Sequence, residues 1–137
     1  MKEYKGKYGV NAVLDLKVYG ADGLLFEIDT MKSYVISRNF ETGENVLIVE
    51  DALVDVKFMN DVFHGKYNNK NLRIKGKTKY RGCDAVDRKV KLDITIAKMD
   101  SYRFEYDSDS VGFVTIEFVF PTKDAYGFNN MNVKIKD

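Results

Sequence analysis

Histidine and cysteine, the side chains that most readily act as a general base and as a nucleophile, each occur once in this sequence. His64 is the only histidine and Cys83 the only cysteine. Nucleophilic catalysis needs a base within hydrogen-bonding reach of the nucleophile, and the spacing nominates no such partner. Arg81 could lower the pKa of the Cys83 thiol, but lone thiols are mostly bystanders. His64 falls where a predicted helix ends, which favours a capping or surface role. We therefore expect no catalytic residues and no enzyme activity.

Residues 107–112, DSDSVG, imitate the opening of a calcium-binding loop with glycine at the sixth position. Val111 and Phe118 would then stand at the fifth and twelfth positions, where oxygen ligands are required. We interpret the run as the acidic tip of a hairpin. Zinc sites need several Cys or His ligands, and glycine motifs that cradle phosphate are absent. The expectation is a protein with no metal, no cofactor and no small-molecule substrate.

The most basic stretch is the strand from Lys66 to Arg81, which holds seven Lys or Arg and no acid. Its charges alternate with other residues and fall mostly on one face, and Tyr67 and Tyr80 flank it. Three interpretations remain open. The strand could follow a phosphate backbone or stack bases. It could be an exposed face that lysines keep soluble and protect from edge pairing. It could also dock on an acidic patch of another copy.

The two halves of the chain differ in charge. Residues 1–68 carry 8 basic and 11 acidic side chains, net −3, whereas residues 69–137 carry 14 and 10, net +4. This asymmetry is too small to dictate a nucleic-acid partner, but it would let copies meet head to tail with complementary fields. The candidate interface residues are Arg73, Lys75, Lys77, Lys79, Arg81, Glu41, Glu44, Glu50 and Asp51.

Alternating apolar residues and turn residues predict a chain of strands. Residues 12–19 and 24–28 form one predicted hairpin around a turn at 21–23, and 33–40 and 46–49 form a second. Further strands are predicted at 72–81, 90–96, 102–106, 112–120 and 132–135.

The one predicted helix runs from about Asp55 to His64. Val56, Met59, Val62 and Phe63 fall on one helical face. Asp51 or Asp55 could cap its N-terminus, and Gly65 suits the position just past its C-terminus. The sequence thus predicts a mainly β fold: an antiparallel β-sandwich or partly closed barrel of about eight strands with one flanking α-helix.

Length and composition indicate a single domain over residues 1–137. The polar start, MKEYKGKYGV, lacks the apolar run of a secretory signal, and one cysteine cannot form an internal disulfide. We expect synthesis in a reducing cytoplasm and no membrane partner. The N-terminal arm, 1–9, and the C-terminal segment, 129–137, carry apolar or aromatic residues without an obvious local core, so we expect neighbouring copies to order them.

Residues 15–66 resemble a family of bacteriophage tail tube and related virion structural proteins. The resembling elements are DLKVY at 15–19, FEIDTMK at 26–32 and VEDAL at 49–53, followed by the helix and FHG at 63–65. In the second half, KTKYR at 77–81 and VKLDITIAK at 90–98 are similar to a later hairpin of that family. The resemblance implies a β-sandwich-like barrel with one helix, self-assembled into stacked hexameric rings around a DNA-conducting lumen.

The function implied is therefore that of a tail tube subunit, located in the virion tail after assembly in the host cytoplasm. Its partners would be copies of itself, other tail or baseplate proteins and, in transit, viral DNA. A lumen should repel phosphates, so we expect Lys75, Lys77 and Lys79 at an interface or outside. The alternatives are a nucleic-acid-binding β-barrel that uses the basic strand, and a baseplate or neck subunit of the same fold.

Overall fold

The computed structural model describes residues 3–5, 11–13, 15–106 and 113–136, with side chains from residue 15 onward. One helix and ten strands lie in these residues. Their bounds are β1 (Glu3–Lys5), β2 (Asn11–Val13), β3 (Asp15–Gly20), β4 (Gly23–Ile28), β5 (Ser33–Arg38), β6 (Glu44–Ala52), α1 (Val56–Phe63), β7 (Leu72–Arg81), β8 (Asp87–Glu105), β9 (Phe113–Pro121) and β10 (Met131–Lys136). The predicted mainly β class with one short helix is confirmed.

Eight strands form one open antiparallel sheet. Its order is β4-β3-β7-β8-β9-β6-β5, and β10 pairs with β8 beside this path. Both predicted hairpins are present, as β3–β4 and β5–β6. At the turn of the first hairpin, Gly23 has φ 124°, a conformation that side chains beyond glycine rarely adopt. The path ends at β4 and β5, so the sheet does not close into a barrel within the described part.

Strand β8 joins the two parts of the sheet. Its first half pairs with β7 and β10, and residues 98–105 pair with β9. The prediction of separate strands at 90–96 and 102–106 is wrong. Asp100 is an extra residue between the pairs Met99–Phe118 and Ser101–Glu117, and such a bulge shifts the alternation without ending the strand. No glycine or proline stands between 90 and 106 to break it.

One face of the sheet packs into a single apolar core because alternate residues of each strand point to the same side. Gly76 shows how tightly the strands approach. It lies on the core side of β7 between Leu16 and Leu92, and an added Cβ would stand 3.2 Å from Leu16 Cδ1. The fully buried large side chains are Leu16, Val18, Ile28, Met31, Leu47, Val49, Leu72, Ile74, Ile94, Ile116, Phe118 and Phe120.

Helix α1 begins and ends as its sequence predicts. The Asp55 carboxylate accepts a hydrogen bond from the Phe58 amide at 2.6 Å, and Gly65 has φ 74° just past the C-terminus. The predicted face is only partly correct. Val62 is buried together with Phe58, whose ring centroid lies 3.6 Å from that of Phe26, and this stacking turns Val56 and Phe63 toward solvent.

The acidic run at 107–112 and most of the N-terminal arm lie outside the described residues. In the C-terminal segment, β10 pairs with β8 of the same chain, and ordering of this segment by a neighbour stays a prediction. Across the described ranges, no helix is long and apolar enough to cross a membrane.

Candidate interaction surfaces

His64 and Cys83, the two residues considered as catalytic candidates, lie in separate, exposed turns. His64 ends α1, and its Nδ1 is 2.7 Å from the Asn60 carbonyl oxygen. Cys83 is exposed in the turn between β7 and β8. The nearby Arg81 guanidinium is held by the Asp87 carboxylate at 2.7 and 3.1 Å, so its charge is already engaged.

The outer face of the sheet, opposite the core, is basic. All five cations predicted for β7, from Arg73 to Arg81 in alternate positions, point to this side. Lys66 and Lys70 do not, because they lie in the turn after α1, where Lys66 pairs with Asp61 at 3.4 Å. Strands β3, β8 and β10 add five lysines to this face that were not among the predicted residues, although the period of two in KVK and KIK could have indicated four. They are Lys17, Lys89, Lys91, Lys134 and Lys136.

Six of these lysines form two parallel rows across three strands. Lys77, Lys91 and Lys134 lie directly opposite one another in the first row, as do Lys79, Lys89 and Lys136 in the second. Paired strands lie about 4.8 Å apart, and alternate residues of one strand about 6.7 Å apart. We call this set the lysine grid. None of the six forms an ion pair with a residue of the described ranges.

At each end of the grid, along the strand direction, lies an arginine whose charge is paired with that of an aspartate. Arg73 donates two hydrogen bonds to Asp93, at 3.0 and 2.7 Å, and Arg81 donates two to Asp87. The hydrogen bond to each carboxylate, followed by its charge, raises the pKa of Arg73 and of Arg81. The bond from Arg81 likewise lowers the pKa of Asp87. These exposed pairs contribute little stability, and they leave the six lysines of the grid without a close ion pair in the described ranges.

A carboxyl pair limits the grid on the β3–β4 side. Asp15 lies opposite Lys77 and is only 6% exposed, and its Oδ1 has no hydrogen-bond partner in the described structure. The hydrogen bond to Asp15 is the main cause that raises the pKa of Glu27, followed by burial and by the Asp15 charge. Glu27 therefore binds a proton more tightly beside Asp15 than it would in the unfolded chain.

The second half of β8 presents a different surface. Within the described residues, 98–105 pair with β9 alone, because β7 begins at Leu72, opposite Ala97, and does not extend along this half. Phe63 of α1 packs on this half, with ring centroids 5.6 Å from Tyr102 and 6.1 Å from Phe104. A depression of about 300 Å³ opens between α1 and Phe104.

Four aromatic side chains stay exposed here even with α1 in place. Tyr102 and Phe104 are 43% and 51% exposed, and Tyr106 is 70% exposed. We call Phe63, Tyr102, Phe104 and Tyr106, with the unpaired side of β8, the aromatic edge. Sequence reasoning missed it because alternating aromatics normally indicate a core.

The acidic interface candidates lie apart from the basic ones. Glu41, Glu44, Glu50 and Asp51 belong to the β5–β6 hairpin, which does not pair with β7. Glu50 already accepts a hydrogen bond from Ser33 Oγ at 3.3 Å and lies 3.6 Å from Lys32 Nζ. The two sets of candidates are therefore on different parts of the sheet within one copy.

These observations define an open antiparallel β domain with one helix, a basic outer face and an exposed aromatic edge. No protein-family model matches the chain, and no curated protein sequence matches it. The likeness to phage tail tube proteins accordingly stays an expectation.

Proposed function

We propose that this chain is a structural subunit that assembles with copies of itself, in the manner of a bacteriophage tail tube or a related virion part. The observation that carries the proposal is the aromatic edge. An unpaired strand presents free N–H and C=O groups to another strand. At this edge the unpaired groups coincide with exposed aromatic side chains, so one added strand would satisfy both.

Strand β10 offers a matching surface on a second copy. It pairs only with β8, so the backbone groups along its other edge have no strand partner in the described structure. Val133 and Ile135 lie on the core side of the sheet, opposite Leu92 and Val90, yet are 47% and 52% exposed. If β10 lies beside the second half of β8 in another copy, these two side chains pack against Tyr102 and Phe104.

Such a contact joins two different surfaces, so it is head to tail. A head-to-tail contact repeats with every added copy and closes into a ring when the rotation allows, or continues as a filament. Rings that stack would form a tube, and rings alone would suit a baseplate or neck. Lys75, Lys77 and Lys79 are exposed on the outer face, and we place that face away from any lumen.

Two reciprocal substitutions test the contact. Phe104→Lys puts a charge on the aromatic edge, and Val133→Lys puts one on β10. Each variant alone should remain monomeric in sedimentation velocity, at concentrations where the wild type forms rings or rods in negative stain. An equimolar mixture should give a one-to-one dimer and nothing larger, because each variant keeps the surface that the other has lost.

Phe40→Lys is the matched control, since Phe40 is 90% exposed in the turn between β5 and β6, distant in sequence from both surfaces, and it should assemble like the wild type. Thermal melts should show that all three variants fold. A wild-type chain that stays monomeric at the highest soluble concentration would contradict the proposal, and closed dimers would contradict the ring or tube.

A further inference from the structure

We propose that the lysine grid is a binding surface for the phosphodiester backbone of double-stranded nucleic acid. The inference does not depend on self-assembly, because its lysines lie on the outer face of β7, β8 and β10, whereas the proposed contact uses the second half of β8 and the free edge of β10. These strands carry six exposed or part-exposed lysines in two rows, three to a row.

The arrangement is costly unless an anion binds there. Each lysine faces another lysine directly across a strand pair, as in Lys77 with Lys91 and Lys89 with Lys136, and like charges in directly opposite positions destabilise a sheet. A repeating anion placed over both rows would remove this repulsion. Binding of such a ligand would thus be favoured because it relieves the repulsion between these neighbouring charges.

Solubility alone does not explain the grid. On the same face, Arg73 with Asp93 and Arg81 with Asp87 show that opposite charges can be placed across these strands. The part of this face formed by β3, β4, β7, the first half of β8 and β10 holds ten cations and four acidic side chains, a formal net charge of +6, whereas the whole chain carries only +1. The remainder of the molecule is therefore net −5, and the positive charge is concentrated on one surface.

A nucleic-acid backbone fits this surface better than an acidic patch of a second copy. Phosphates supply closely and regularly spaced charges, as two evenly spaced rows require. The acidic candidates of this chain are few and irregular, and Glu50 is already engaged with Ser33 and Lys32. The carboxyl pair Asp15 and Glu27 would repel phosphate, so the footprint runs from β7 toward β10.

The structure disfavours base stacking, which the sequence had left open. Tyr67 is 6% exposed and packs on Phe58 in the core, and Tyr80 lies on the core side of β7, opposite Arg88. On the outer face, Tyr19 is covered by the Lys75 ammonium at 5.6 Å. A surface without a stacking platform should prefer a duplex, because its charge density exceeds that of a single strand.

The test is fluorescence anisotropy with a short labelled DNA duplex, in salt from about 50 to about 200 mM. The triple variant Lys77→Gln, Lys91→Gln and Lys134→Gln removes one row. It should bind at least about tenfold more weakly at low salt, and the slope of log affinity against log salt should fall by about 3, one unit for each lost phosphate contact. Changing the duplex sequence should have little effect.

The control triple, Lys57→Gln, Lys70→Gln and Lys98→Gln, removes the same charge from exposed lysines outside the grid and should bind nearly as the wild type does. Repeating the titration in the Phe104→Lys background separates this result from any failure of assembly. Equal loss in both triples overturns the proposal, as does a wild type that does not bind duplex at the lowest salt. Tighter binding of single strands, or of vesicles containing phosphatidylserine in place of duplex, overturns it as well. Circular dichroism should show that both triples remain folded.

Discussion

The two halves of β8 differ in what they leave unsatisfied. The first half has a strand on each side, β7 and β10, so its backbone is paired and its core side chains are covered. What this half leaves unsatisfied is positive charge, which is concentrated in the lysine grid. Within the described residues the second half pairs with β9 alone, and it leaves unpaired backbone groups and the exposed rings of Tyr102 and Phe104.

This difference separates two kinds of interaction along one strand. Charge on a fully paired sheet face attracts ions through long-range, salt-dependent forces. Unpaired backbone beside apolar side chains instead requires close contact with another strand. The first half is therefore suited to a polyanion, and the second half to another copy of the chain.

The largest expected difference between the halves is in core packing. Ile94 is fully buried between Ile74 and Met131, so Ile94→Ala should lower the free energy of unfolding by about 2–5 kcal/mol. Tyr102→Ala in the second half should cost about 1 kcal/mol or less in the monomer, yet it should weaken assembly. Urea unfolding at low protein concentration measures both values. Equal losses would show that the second half is already part of the core.

A smaller loss is expected at the junction of the halves. The fully buried Asn130 fills the gap between β9 and β10, where its Nδ2 donates to the carbonyl oxygens of Ile96 at 2.8 Å and Pro121 at 2.9 Å. Its Oδ1 accepts from the Ile96 amide at 2.8 Å. Asn130→Ala leaves these groups without a partner and should lower stability by about 2 kcal/mol.

Asn132→Ala is the control for this junction, because Asn132 is exposed on β10 and should change stability by less than about 0.5 kcal/mol. Hydrogen exchange sharpens the comparison: in Asn130→Ala, amides of β10 should lose protection before those of β9. Uniform loss over the whole sheet would indicate that Asn130 does not separate two halves.

Much of the fold follows from local chemistry. The first hairpin could be predicted because apolar residues alternate with a period of two on both sides of Gly23. The helix could be predicted because Asp55 and Gly65 mark its ends. The length of β8 could not be predicted. A bulge at Asp100 shifts which side chains face the core, and no glycine or proline marks the position. No local rule identifies such a shift.

The surfaces were less predictable than the fold for a related reason. The cations of β7 could be assigned to one face from alternation alone. The grid arises only when β8 and β10 pair with β7 in the register that places Lys91 between Lys77 and Lys134, and register depends on distant contacts. The aromatic edge exists because no other element of the fold fully covers Phe104, and the sequence of one strand does not contain that information.

The smallest expected effect concerns the pH response at the border of the basic face. The hydrogen bond to Asp15 raises the pKa of Glu27 above its ordinary value of 4.5, so the folded state holds this proton more tightly than the unfolded chain does. The resulting stabilisation is complete below that ordinary value and is lost as pH rises through the raised folded pKa. Because Glu27 is exposed, the effect should not exceed about 0.5 kcal/mol.

Glu27→Gln should remove this part of the slope of unfolding free energy against pH, and Asp15→Asn should remove it too, by abolishing its cause. In a double-mutant cycle the second substitution should then add nothing to the slope, whereas additive changes would mean that the two carboxyls titrate independently.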